Sequence, residues 1–328
     1  MTRRLTPRVV AAFAALYLIW GSTYLGIKFA IATLPPLTMV ATRSIAAGAI
    51  LYAWGRWRGA GPPTVAQWKA SAMVGALLFL GGHGGLAWAQ QRVPSGVASL
   101  FIATLPLWMT LIQALKDGVA VFTVSTLTGL AAGTLGILVL VGPAALLGSE
   151  PLHLLGATVL VLAALSWSLG SAVAQRSPRP ASLAVTSGSY LLSGGVLLFV
   201  VAIASGELRD LGLDTISLQS LAALGYLIAF GSVVAFGAYS WLIRHRSLAA
   251  VSTYAFVNPM VAVFLGWALG GESLNARVVA AATLVVAAVM LILSGGAAAG
   301  DADVPTARTV TSSVPQTVTA SSNKRKCA

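Results

Sequence analysis

Charge is what this 328-residue chain has least of: Asp, Glu, Lys and Arg together make up 9% of it, against about 25% in an ordinary soluble domain. A soluble protein of this length needs a large solvated face, and 20 basic with 8 acidic side chains cannot cover one. That excludes a cytosolic enzyme and a disordered chain. Cysteine is almost missing as well. Cys327 stands alone in the penultimate position, so an internal disulfide and a cysteine-held zinc cluster are excluded. A prenylation box needs its cysteine fourth from the end, whereas this sequence closes on KRKCA. Neither Walker A (GxxxxGK[ST]) nor HExxH occurs, so the chain carries no ATP-driven motor and no zincin site of its own. A Ser–His pair in register and paired intramembrane Asp residues are also missing, which argues against an intramembrane enzyme.

What remains is apolar. The set AVILMFWYC accounts for 57% of residues, glycine adds 34, and the mean hydropathy is +0.87. About 20 helical residues cross the roughly 30 Å hydrocarbon layer. Uncharged runs long enough for this predict spans near 9–31, 36–54, 69–90, 95–115, 120–141, 152–175, 181–204, 217–241, 248–270 and 275–294. A transmembrane barrel would alternate apolar and polar residues in segments of about ten; these runs are twice as long and apolar all round. The basic MTRR start resembles a signal peptide, but Val9–Ile27 is too long for that hydrophobic region and a second span follows at once. The first span is therefore expected to be retained.

Basic residues flank the spans singly or in pairs, without the continuous stripe of a nucleic-acid face. With the N-terminus inside, fifteen of them fall in inside loops, whereas Arg92, Arg209 and Arg277 fall outside. This bias predicts that both termini are cytoplasmic. Beyond Ser294 the chain becomes Ser/Thr/Ala-rich and loses its apolar period, so 295–328 is expected to be a disordered cytoplasmic tail.

The two halves also overlay. At an offset of 153, Gly84, Trp88, Ser99 and Pro106 meet Gly237, Trp241, Ser252 and Pro259; at 147, Trp20 meets Trp167. Each half holds five spans. Five is odd, so the second half enters the membrane in the opposite sense, as in the inverted repeats of secondary transporters. The expected fold is an all-α integral membrane protein of ten transmembrane helices. Residues 9–141 and 152–294 form its two inverted five-helix repeats, followed by the tail.

Over roughly residues 9–294 the chain resembles the drug/metabolite transporter superfamily and, within it, the YedA-like branch of the EamA family of ten-span permeases. The resemblance rests on WGSTYLGIK (Trp20 to Lys28) and on Arg43 within MVATRSIAAG. It also rests on Thr104-Leu105-Pro106 with its repeat copy Val257-Asn258-Pro259, and on Gly271-Glu272. Lys116-Asp117-Gly118 departs from the glutamate more usual at that junction. The resemblance implies a cytoplasmic-membrane carrier of small metabolites, amino-acid-like or drug-like, frequently an exporter.

Several residues are candidates for the solute pathway. Arg43 lies about 10 Å into the second span by helix rise, where a guanidinium needs a cavity, a partner or a route to the interface. It either serves the substrate path or bonds helix-end carbonyls. Lys28 shares the outward turn with Arg43, or snorkels; together they would make an entrance that favours carboxylates. His83, in GGHGG, stands in a stretch where glycines permit an irregular helix beside a cavity. Trp20, Trp88 and Trp241 either line the pathway or meet lipid and helices, and Gln90 and Gln91 suit a polar vestibule. Pro106 and Pro259 interrupt the fourth and ninth spans as hinge candidates, with Asn258 able to offer its amide to the broken region and Tyr254 one turn away.

The predicted function is secondary transport by alternating access, the alternative being a passive channel-like pore. Expected partners are a small organic solute and membrane lipid, and a homodimer is compatible with these features. No nucleic acid, ATPase subunit, metal or other cofactor is expected. No Asp or Glu lies in a span core, so a carboxylate proton relay is hard to build.

Overall fold

The computed structural model describes residues 6–93, 98, 101–117, 124–141, 154–209, 211–270 and scattered positions between 276 and 291. Among the described residues all regular structure is helical. In chain order the long helices are α1 (Pro7–Ala30), α2 (Pro36–Trp57), α3 (Val65–Ala89), α4 (Leu105–Asp117), α5 (Val124–Val141), α6 (Leu154–Arg176), α7 (Leu183–Ala204), α8 (Leu218–His245) and α9 (Tyr254–Gly270). Six of these, α1, α2, α3, α6, α7 and α8, are long and apolar enough to cross a membrane. The tenth predicted span is described only at scattered helical positions, and Gly271-Glu272 and the tail lie outside the described residues.

Helix starts follow local chemistry. Thr6 caps α1 ahead of Pro7, and the Thr64 hydroxyl and Gln67 side chain form a reciprocal capping box on α3. Ser182 and Ser217 accept the first free amides of α7 and α8. Pro35 offers α2 no such cap. Glu207, just past the end of α7, supplies it instead: its carboxylate accepts from Leu37 N at 3.2 Å, Thr38 N at 2.8 Å and Thr38 Oγ1 at 3.1 Å. A negative charge there also opposes the positive end of the helix dipole. Gly206, at φ +84°, turns the chain back so that Glu207 can reach. Gly59 ends α2 with the same left-handed conformation, φ +86°, and stands 147 residues earlier.

The centre of the bundle is built on backbone contact. A Cβ on Gly48 would lie 2.7 Å from Leu192 N, and one on Gly188 would lie 2.6 Å from Tyr52 N, so α2 and α7 touch main chain to main chain. Gly75 and Gly194 bring α3 against α7 in the same way, with Gly194 N 2.6 Å from a Cβ on Gly75. Helices in lipid gain little from burying apolar side chains, so such close approach is a main source of cohesion. Around this centre, α1 packs on α8 and α9, while α6 packs on α3 and α4.

Among the described residues two helices contain π-helical turns. In α3 they run from Ala76 to Gly84 and in α8 from Leu227 to Ala235, nine residues each. The irregular helix anticipated around His83 thus takes a defined form, with a counterpart 151 residues later. The fourth and ninth segments break slightly apart from their prolines. The chain turns at Ala103-Thr104, which leaves Pro106 in the first turn of α4, where a missing amide costs little. A short helix, Leu248–Ser252, breaks at Thr253, and Pro259 then sits inside a continuous α9.

Adding a methyl group at Gly188 should therefore force α2 from α7. Gly188→Ala is expected to cost about 1–3 kcal/mol, read as a lower melting temperature of the purified protein. Gly225→Ala, where nothing lies within 4 Å of the new carbon, should melt like the parent.

Candidate functional site

Helix periodicity brings one face of each of several helices to a common cavity. From α1 come Trp20, Thr23, Tyr24 and Ile27, spaced by three and four; from α2 come Val40 and Arg43. The end of the π segment of α3 contributes Gly82 and His83, and the turn that follows it contributes Leu86, Ala87 and Gln90; α6 contributes Ala163, Ala164 and Trp167, and α9 contributes Tyr254 and Asn258. Ile102 and Leu105 complete the lining at the head of α4. These residues lie toward the end of the bundle where α1 and α3 finish and α2, α4 and α6 begin, here termed the near end.

An aromatic layer closes the cavity toward the far end. Trp20 meets Tyr254 edge-on at 4.9 Å, Tyr239 at 5.2 Å and Trp167 at 5.7 Å between ring centres, and Trp167 meets Tyr239 at 5.5 Å. Hydroxyl contacts fix the rings, with Tyr239 paired to Ser171 and Tyr17 bonded to Thr253 at 2.6 Å. His83 lies over Trp167 at 4.7 Å and beside Phe79 at 5.5 Å. Glycines make room for this. A Cβ on Gly82 would stand 2.9 Å from Trp167, and one on Gly81 would collide with Ser166.

Among the described residues Arg43 is the one guanidinium on the cavity wall, and it is only 4% exposed. Its Nε donates to Ser232 Oγ at 2.6 Å. The neighbouring Gly231 admits the rest of the group, since a Cβ there would be 3.1 Å from Arg43 Nη2. The carbonyl of Gly231 accepts Trp20 Nε1 at 3.0 Å. A π turn leaves carbonyls misaligned for ordinary helical bonding, and both π segments use side chains from neighbouring helices: Trp20 serves α8, and Ser166 Oγ donates to Leu77 O of α3 at 2.8 Å. Among the described residues no carboxylate pairs with Arg43. The acidic side chains described are Glu207, which caps α2, and Asp214, in the turn before α8. The wall thus presents a fixed positive charge in a mainly aromatic and aliphatic surface that also carries Thr23, Gln90 and Asn258. Trp167 Nε1 adds a buried donor without a hydrogen-bond partner.

Asn258, with its amide turned so that nitrogen donates, reaches Tyr254 O at 3.0 Å and Tyr17 O at 3.3 Å. It ties α9 to α1 rather than serving the carbonyl freed by Pro259.

Of the residues singled out in the sequence, Arg43, His83, Trp20, Tyr254, Asn258 and Gln90 meet in this cavity. Lys28 is exposed on α1 and Gln91 is exposed at the end of α3. Trp88 lies under the Arg92 guanidinium at 4.3 Å, and Trp241 stacks on His245 at 4.3 Å, both away from the lining. Sequence reasoning passed over Thr23, Tyr24, Tyr239 and Ser232. Tyr24 was legible, one turn beyond Trp20 on the same helical face. Ser232 had no local signal, because the π register of α8 decides where it points.

Ser232→Ala should leave Arg43 Nε without its partner, at a cost of about 1–3 kcal/mol, seen as reduced thermal stability that Ser232→Thr restores.

The EamA-like transporter family model matches residues 8–142 and 154–294. The chain is 38% identical over 274 residues to the uncharacterized inner membrane transporter YedA of Escherichia coli (strain K12), covering 83% of this chain and 86% of that one. Protein PecM of Dickeya dadantii is 26% identical over 263 residues, 78% and 82% of the two chains. The transporter YoaV of Bacillus subtilis is 23% identical over 278 residues, 83% and 92%. A solved protein crystal structure superposes with a TM-score of 0.70 at 19% identity, covering 89% of this chain and 99% of that one, which bears on fold alone.

Proposed function

This chain belongs to the EamA-like transporter family, and on that premise we propose that it is a secondary carrier that moves a small, anionic or zwitterionic organic solute by alternating access. Its relatives are transporters and not enzymes, and a relative 38% identical is named for the inner membrane; this protein is a multi-pass inner membrane transporter. The substrate, the mechanism and the direction are the proposal.

One observation carries it: a cavity that is closed at its far end by a layer of interlocked rings and holds a buried, carboxylate-free Arg43 on its wall. A passive pore needs a continuous path, and an aromatic plug across the middle favours a carrier. The basic residues support an orientation. Arg8, Arg56, Arg58, Lys69, Arg176, Arg179, Arg244 and Arg246 belong to the far end, which the positive-inside bias makes cytoplasmic. Both termini are then inside and the cavity faces out.

Ten spans in two inverted repeats are part of the same reading. The matched segments 8–142 and 154–294 support it, as do the paired π segments, the paired left-handed glycines Gly59 and Gly206, and the pairing of α1 on α8 with α6 on α3. Two such repeats give two conformations of opposite facing, and the helix breaks at Ala103-Thr104, just before Pro106, and at Thr253, ahead of the helix that holds Pro259, are the proposed hinges. Amino-acid-like or drug-like solutes fit an aromatic pocket with one cation. Export is the proposed direction, by exchange or downhill release, because no span core carries an acid for a proton relay.

Purified protein in proteoliposomes should show counterflow: solute loaded on one side accelerates entry of labelled solute from the other. Saturable, trans-stimulated flux across a panel of amino acids and organic acids is the expected result, and flux without either property would make the protein a pore. Arg43→Gln should lower that flux roughly tenfold, the loss of a charge-assisted bond, at normal membrane levels. Unchanged kinetics would confine Arg43 to a structural role.

A further inference from the structure

A second group of polar side chains lies at the far end, where α7 and the last part of α8 pack together. Ser187 Oγ and Tyr190 OH, one turn apart on α7, are buried without hydrogen-bond partners. So are Ser240 Oγ and Arg244 Nη2, one turn apart on α8. Tyr190 lies in the electrostatic field of both Arg244 and Arg179, and the two guanidiniums repel one another. Glu207 and Asp214, the acidic side chains described, stand at the near ends of α7 and α8 and relieve none of this. Snorkelling would explain an arginine near a helix end whose nitrogens reach water, yet Nη2 of Arg244 is buried. Four unpartnered polar groups, all able to donate, are costly in a bundle unless something else occupies them for part of the working cycle. Tyr190 also stands 147 residues after Arg43, the offset that relates Trp20 to Trp167 and Gly59 to Gly206. It is the second half's counterpart of the cavity arginine.

We propose that Ser187, Tyr190, Ser240 and Arg244 form a second solute station at the cytoplasmic end, which accepts a carboxylate or similar small anion when the outer cavity closes. This rests on the carrier reading above: each half-pathway then carries one arginine, Arg43 for the outward-facing state and Arg244 for the inward-facing one. The four groups are buried between α7 and α8 in this conformation, so the helices must part to admit the anion.

Thiol labelling tests this without knowledge of the substrate. Full-length protein with C327A and S187C is exposed in inside-out vesicles to the anionic sulfonatoethyl and the cationic trimethylammonioethyl methanethiosulfonates, with G61C, in an exposed loop, as the reference for intrinsic reactivity. Relative to G61C, S187C should favour the anionic reagent several-fold, R244Q should remove that preference, and S240C should behave as S187C does. Failure of both S187C and S240C to react, or a preference that R244Q leaves intact, would overturn the station. A second arm separates this from the carrier reading. A bulky maleimide on A163C, applied from the outside, should change the rate at S187C. If that rate stays constant while the anion preference persists, the inner station stands and alternating access falls.

Discussion

Contact between the main chains of α2 and α7 is the constraint from which the remaining geometry follows. Gly48 and Gly188 hold the two helices so close that neither tolerates a Cβ, and Gly75 with Gly194 extends the contact to α3. Helices this close leave little freedom in where their side chains point. Arg43 on α2 is aimed across at α8, and Tyr190 on α7 is aimed at the opposite end. Glu207 adds an electrostatic latch between the end of α7 and the start of α2. In the proposed carrier, with the centre fixed in this way, motion would fall to the helices around it: α1, α6, α8 and the broken segments that lead into α4 and α9.

A buried Arg43 that no carboxylate among the described residues pairs with gives the cavity its chemical character. A guanidinium held in a low-dielectric wall, bonded through one nitrogen to a serine hydroxyl, keeps most of its donor capacity in reserve. An internal aspartate would satisfy it permanently and leave no preference for an incoming anion. The scarcity of acidic residues, which at first says only that the chain is a membrane protein, therefore acquires a local meaning at Arg43. The π turns contribute by moving donors and acceptors out of the helix and toward neighbours. Gly231 serves both roles, its carbonyl taking Trp20 and its missing side chain making space for Arg43.

Much of this was legible in the residues. Charge spacing located the long helices to within a few residues at most ends, because lipid thickness and flanking charge dictate them. Glycines on both sides of His83 pointed to an irregular helix beside a cavity, and Trp20, Arg43, Tyr254 and Asn258 do meet there. Three things escaped for physical reasons. Pro259 does not break α9, since the chain had already turned at Thr253, where the Tyr17 hydroxyl is bonded. Trp88 lies off the face that carries His83, Leu86, Ala87 and Gln90 into the cavity at spacings of three and four, and it packs under Arg92 instead. Ser232 and Tyr239 depend on the register of α8 after its own π segment, a tertiary property with no mark in the local sequence.

The central claim is that one bundle opens at one end while it closes at the other. Pulsed electron–electron resonance on two pairs of spin labels measures this most directly. Labels at Ala32 and Gln91 report the near end, and labels at Arg8 and His245 report the far end; all four positions are exposed. The account predicts two distances for each pair, with the shorter near-end distance gaining population under the conditions that favour the longer far-end one. A single unchanging distance at both ends, or ends that widen together, would contradict it.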